Sequence, residues 1–142
     1  MKQILNKTLI KLSERAKELE CLYKVEEAIK NANGSEMTLF SSLLKIIPAG
    51  MQYSTVCEVS ISYGEDVCQT EEFRETPWMI SSGLLVDNDL LGHIKVAYTQ
   101  LIDESDEVQF LPDEQRMLDN IASRVSCWLY LLVIKESGDK SL

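Results

Sequence analysis

The stretch FRETPWMISSGLLVDNDLLGHIKVAY, residues 73–98, decides the fold. Two apolar runs flank Asp87-Asn88-Asp89, residue types that tolerate the left-handed backbone of a tight turn, so the segment reads as a β-hairpin. Thr76-Pro77 interrupts pairing before a strand that begins near Trp78, because proline has no N–H to give to a ladder. After the turn, Ile94, Val96 and Tyr98 alternate with His93, Lys95 and Ala97, which sends the first three to a buried face and His93 away from it. Gly92, near the start of that strand, marks a bulge or a close backbone approach.

Working outward toward the N-terminus, Cys57, Val59, Ile61 and Tyr63 alternate with Glu58, Ser60 and Ser62 as in a strand with one buried face. Gly64-Glu65 turns the chain into a partner strand from about Val67 to Phe73, with Ile61 opposite Cys68. Further upstream, Leu5, Leu9, Leu12, Ala16, Leu19 and Tyr23 recur at alternating spacings of four and three, the pattern of one long helix over residues 1–32. Its stripe drifts to Leu22, Val25 and Ile29, and Asn33-Gly34 ends it. Ser35 caps a second helix whose apolar positions are Met37, Phe40, Leu43, Leu44 and Ile47, stopped by Pro48 and Gly50.

Downstream of the hairpin, residues 103–107 (DESDE) form an acidic loop. Pro112, Asp113 and Glu114 then open a last helix over 113–135, with proline in the first turn and carboxylates at the positive end of the dipole. Leu118, Ile121, Ala122, Val125, Leu129 and Leu132 form its first stripe, and Tyr130, Leu131, Val133 and Ile134 add a second apolar face. A helix apolar on two faces needs two neighbours, one of them its own sheet. The order ααββββα predicts an α+β domain over residues 1–135, followed by a polar, frayed tail over 136–142.

A chain of 142 residues with 45% hydrophobic and 26% charged side chains has the size and composition of one globular domain. Its 23 acidic and 14 basic residues give a net charge of -9, which repels polyphosphate backbones. The basic residues near the N-terminus (Lys2, Lys7, Lys11, Arg15, Lys17) are interleaved with Glu14, Glu18 and Glu20, as on a solvated helix face, so no nucleic acid is expected. Lys2, Lys7 and Lys11 break up what a secretory signal would keep apolar. The longest apolar run, Cys127 to Ile134, falls short of a membrane span, so the expectation is a soluble, cytoplasmic protein.

Chemistry-bearing patterns are sparse. Cys21, Cys57, Cys68 and Cys127 are scattered without the spacing of a zinc site or a nearby histidine, so no metal is expected and the thiols read as reduced. His93, the sole histidine, has no nucleophile signature around it. Phosphate-cradling glycine motifs are absent, and the 103–107 carboxylates lack the ligand pattern of an EF-hand. No catalytic residue and no cofactor is therefore assigned. Met51, Tyr53, Phe73, Trp78 and Met79 are the residues suited to line a pocket for a flat ligand, with core packing as the alternative use of the same side chains.

Taken together, the segments at 14–29 (ERAKELECLYKVEEAI), 46–53 (IIPAGMQY), 73–78 (FRETPW), 90–98 (LLGHIKVAY) and 110–125 (FLPDEQRMLDNIASRV) resemble a GAF-like sensory domain. The closest variety is the compact one near the N-terminus of bacterial sensor histidine kinases and of pyruvate, phosphate dikinase or phosphoenolpyruvate synthase-like proteins. The resemblance implies an antiparallel β-sheet with the N- and C-terminal helices packed on one face, a homodimer through those helices, and a regulatory role toward an output domain or partner protein. Departures are Met51, where the family often has tryptophan, Ser54 in place of proline, and Val108-Gln109 in place of Gly-Pro. The cysteine-histidine pair of bilin binders and the signature of cyclic-nucleotide members are missing, and the short 73–98 segment leaves no room for an enclosing lid.

These readings converge on a non-enzymatic sensory or regulatory module that pairs with a second copy through Leu5, Leu9, Leu12 and Leu19 of the first helix and Tyr130, Leu131 and Ile134 of the last. The alternatives are a purely structural dimerisation module, and the N-terminal part of a dikinase-like enzyme whose catalysis lies in other domains.

Overall fold

A computed structural model describes residues 2–100, 110 and 112–140, with side chains for 6–100, 110 and 112–136. Two helices lead, α1 (Lys2–Asn31) and α2 (Glu36–Ala49), and a short 3-10 turn, Ser54–Val56, introduces the sheet. The strands are β1 (Cys57–Tyr63), β2 (Asp66–Gln69), β3 (Met79–Val86) and β4 (Asp89–Tyr98), and α3 (Pro112–Lys140) closes the chain. All strand pairs are antiparallel and the sheet order is β2-β1-β4-β3. The chain is thus α+β, with its helices flanking one antiparallel sheet.

The hairpin of residues 73–98 forms as its sequence dictates, with a tighter turn. Asp87 (φ 54°) and Asn88 (φ 66°) both occupy the left-handed region, and Val86 pairs directly with Asp89. Asp89 therefore belongs to the strand, and the loop is the two-residue type whose twist matches that of the strands. One residue later the register slips between Leu84 and Leu85, leaving Leu91 as the extra residue of a bulge. Gly92, next to it, is fixed by space. A Cβ there would stand 1.9 Å from the Ser62 carbonyl oxygen of β1. Both readings of this glycine, bulge and close approach, hold at once.

Strand β2 ends at Gln69, well before the expected Phe73. Thr70 competes with the ladder: its Oγ1 accepts from the Val59 N–H at 3.1 Å, and Phe73 N–H turns back to the Thr70 carbonyl at 3.1 Å. Ser35 caps α2 as expected, accepting from the Thr38 N–H at 3.2 Å. Pro48 lies inside the last turn of that helix instead of beyond it, and Gly50 closes it with its N–H on the Ile47 carbonyl at 3.0 Å. At the other end of the chain, α3 carries on through Ser137-Gly138 to Lys140, where a frayed tail was expected from 136. A single helical glycine costs only about 1 kcal/mol and is no stop on its own. The acidic loop 103–107 lies outside the described residues.

The core sits between the sheet and the helices. Val59, Ile61, Leu84, Val86, Ile94, Val96 and Tyr98 from the strands meet Leu39, Phe40, Leu43 and Ile47 of α2 and Met117, Leu118, Ile121, Val125 and Leu129 of α3. Leu39, which the 3.6-residue reading of α2 passed over, is fully buried, whereas Met37 is exposed. Helix α1 packs on α2 and α3, using Cys21, Val25 and Ala32. Helix α3 also closes an open edge. The exposed rim of β3 would leave backbone groups unpaired, but Ser126 Oγ accepts from the Leu85 N–H at 3.0 Å and Gln115 Nε2 donates to the Ser81 carbonyl at 3.2 Å.

By length and composition, Pro112–Glu136 of α3 could cross a membrane: its apolar window has a mean hydropathy of 1.3, which a count of unbroken apolar residues does not reveal. The same residues supply the core stripe just named, the ordinary use of such a helix in a folded domain.

Candidate functional site on the terminal helices and the carboxylate that anchors them

Two contacts fix how α1 and α3 lie together. Arg124 pairs with Glu26, 98 residues apart in sequence, and Gly34 stands beside Leu132 with the same offset, 3.8 Å from its Cδ2 to the position a Cβ would take. Equal offsets in one sense mean that the helices run parallel. Glu18, near the start of the shared length, is influenced by the charges of Asp113 and Arg116, and burial is the first cause of its raised pKa. A groove of about 180 Å³ opens between the helices there, lined by Arg15, Glu18, Leu19, Leu22, Arg116 and Met117 among others.

The outward face of α1 is apolar and uncovered. Leu9, Leu12, Leu19 and Tyr23 are 62%, 61%, 61% and 63% exposed, while Cys21 and Val25 on the inward face are buried. The side chain of Leu5 lies outside the described residues. On α3, Tyr130, Leu131 and Ile134 are exposed, past the level at which α1 ends. Tyr130 also borders a hollow of about 360 Å³ with Leu85 and Cys127, at the hairpin tip.

The five residues suited to a ligand pocket do not converge. Met51 is fully buried, and Tyr53 and Trp78 pack against the same core, Tyr53 edge-on to Tyr98 with centroids 5.3 Å apart. Met79 pairs across the sheet with Ala97, on the face opposite Val96, and its Sδ accepts from the Thr76 N–H at 3.3 Å. Phe73 is half-buried in the turn after β2. Neither the groove nor the hairpin hollow is lined by any of the five.

What the sequence reading missed is Glu114. Read as a first-turn carboxylate at the positive end of the helix dipole, it is 3% exposed. Its Oε2 accepts from the Tyr98 hydroxyl at 2.7 Å and from the Gln52 N–H at 3.0 Å. The Tyr98 oxygen in turn accepts from the Tyr53 N–H at 3.4 Å, and Phe110 stacks on the Tyr98 ring with centroids 4.1 Å apart. One carboxylate thereby ties the first turn of α3 to the end of β4 and to the link from α2 into β1. Burial, then the bond to Glu114, pushes the Tyr98 phenol well above the usual tyrosine range, and burial followed by the Glu114 charge does the same to the Cys57 thiol. A signal for Glu114 was present in Tyr98. A tyrosine closing a core-facing alternation needs a partner for its hydroxyl.

Chemically this cluster fastens elements; its atoms are enclosed by protein and offer no face to a substrate. Among the described residues, no three His, Cys, Asp or Glu side chains come together as metal ligands. His93 is half-buried on the outer sheet face between Ser62 and Gly83. Compared with models of known protein families and with curated proteins, the chain matches none.

Proposed function

We propose that this chain is a non-catalytic, GAF-like regulatory module of the cytoplasm, which forms a homodimer through its terminal helices and passes a ligand- or partner-induced change along them to an output domain or partner protein. The observation that carries the reading is the α1 seam: four large apolar side chains, each about three-fifths exposed, at heptad spacing on a helix whose second half is packed into the core through Cys21 and Val25. The antiparallel sheet and the adjoining terminal helices are the arrangement that the family resemblance implies, and they support it further. The anchoring of α3 through Glu114 gives the sheet a direct mechanical connection to that helix.

Light scattering of the purified chain tests the dimer, with Leu12→Glu/Leu19→Glu as the comparison. Both positions are exposed, so the variant keeps its fold by circular dichroism. The expected result is a dimeric wild type and a monomeric variant; a wild type that stays monomeric at high concentration refutes the proposal. Native mass spectrometry of the same sample reads any retained small molecule. A second reading, a structural dimerisation module without a ligand, is favoured by the dispersal of Met51, Tyr53, Phe73, Trp78 and Met79 between the core, a turn and the outer sheet face.

A further inference from the structure

Resting on the dimeric reading above, the inference concerns how the second copy lies. In heptad terms Leu9, Ala16 and Tyr23 take position a, and Leu5, Leu12 and Leu19 take position d. The flanking positions are then Thr8, Arg15 and Leu22 at g, and Asn6, Ser13, Glu20 and Glu27 at e. In a parallel coiled coil each g residue faces the e residue five places further along the partner, and these flanks set the orientation of the pair. Here the one charged g, Arg15, and one of the two charged e residues, Glu20, stand five apart with opposite sign. Arg15 and Glu20 are both exposed, Glu20 with 67% of its side chain accessible. Glu27, the other charged e residue, faces the apolar Leu22, and Lys24 of the same chain lies 3.4 Å from Glu20. An antiparallel pair centred on the seam would instead bring arginine toward arginine.

The second observation is the offset of the two helices. Because α3 runs parallel to α1 at a constant displacement, Tyr130, Leu131 and Ile134 begin where α1 ends. Exposed apolar side chains therefore lie at two levels, on α1 up to Tyr23 and on α3 from Tyr130, with the exposed Lys24, Glu27, Lys30 and Asn31 between them. A parallel copy lays each stretch on its own counterpart. An antiparallel copy centred on the α1 seam would send the two α3 patches to opposite ends of the pair and leave both uncovered.

We propose that the occupant of this face is a second copy of the chain, parallel and in register, with Arg15 of each protomer facing Glu20 of the other and with the two α3 patches facing each other at the far end.

Cysteine cross-linking decides the orientation, since Leu9 and Leu19 are exposed and tolerate replacement. Leu9→Cys and Leu19→Cys protomers, each in a Cys127→Ser background, are mixed, oxidised mildly and mapped by mass spectrometry. The expected products join 9 to 9 and 19 to 19. Products joining 9 to 19 overturn the orientation, because an antiparallel pair separates two copies of position 9 by roughly 15 Å.

A charge exchange gives an independent reading. Glu20→Arg replaces two attractive contacts per dimer by two repulsive ones and raises the dimer dissociation constant about three-fold or more, while Arg15→Glu/Glu20→Arg returns it to within about two-fold of wild type. A double variant no tighter than the single one overturns the pairing. A wild type that is monomeric by light scattering removes the dimer itself, so failure of that reading and failure of the orientation are told apart.

Discussion

Tyr98→Phe removes one oxygen from the cluster that fastens α3 to the sheet, and the structure sets the size of the effect. The hydroxyl donates to a Glu114 carboxylate oxygen at 2.7 Å, with Tyr98 fully buried and Glu114 nearly so, so no water is placed to replace it. Hydrogen bonds to charged groups contribute about 1.5–3 kcal/mol net, and phenylalanine, easier to bury, recovers a little of this. The expected loss is about 2 kcal/mol, or a melting temperature lower by about 6 °C for a domain of this size. Urea unfolding followed by circular dichroism at one fixed protein concentration measures it, with an unchanged m-value expected. The pH dependence has a defined sign. Tyr98 is raised above its ordinary 10.0, first by burial and then by the bond to Glu114. Below pH 10 both folded and unfolded chains keep the proton; above it the unfolded chain ionises and the folded one resists, so wild-type stability falls as pH rises. Tyr98→Phe falls less steeply there. A variant within about 0.5 kcal/mol of wild type at pH 7, with the same alkaline slope, would refute the assignment of Glu114 and Tyr98 as an anchor.

Gly92→Ala is expected to cost about 3 kcal/mol or more, since its Cβ would meet backbone of β1 that cannot move without opening the sheet, whereas Gly64→Ala, with open space around it, costs only the roughly 1–2 kcal/mol of its left-handed backbone. Equal midpoints for the two variants in urea would contradict the close approach. Burial pushes the Cys21 thiol from its ordinary 9.0 to about 11, with Lys24 opposing and Glu18 adding to the effect. Its contribution to stability is therefore whole below pH 9 and is lost between pH 9 and 11. Cys21→Ala should flatten the stability profile in that window, and parallel profiles for variant and wild type would argue against a buried thiol.

The elements legible in the sequence are those in which periodicity and punctuation agree. Asn33-Gly34 and Ser35 bound α1 and α2 to within a residue or two, and the alternations from Cys57 and from Ile94 set both core strands in register. Legibility ends where a side chain has two uses that local pattern cannot separate. Thr70 suits a strand, yet its hydroxyl takes over the ladder and ends β2. Glu114 suits the positive end of a helix whether it faces water or the core, and only the fold brings Tyr98 and Gln52 to it. The aromatic and thioether residues from Met51 to Met79 likewise suit a pocket or a core, and their separation depends on which sheet face each strand position takes.

The α1 seam shows why association and helix formation belong together in this chain. Residues before Glu14 lie beyond the start of α3 at the offset the two helices keep, and Leu9, Ile10 and Leu12 there are all about three-fifths exposed. A free segment of that length is a marginal helix in water, because nucleation costs more than a few turns of hydrogen bonds return. Covering Leu9 and Leu12 in a dimer removes roughly 1.5–3 kcal/mol worth of apolar surface per side chain from water, which exceeds what helix propensity alone supplies over those turns. In the proposed dimer the first helix would be continuous because its overhang is covered, while its second half is held by Cys21 and Val25 regardless. Arg124 and Glu26 are the point at which the covered half of α1 is tied to α3. The overhang, exposed all round within one chain, is the part of α1 with the least free energy opposing a change.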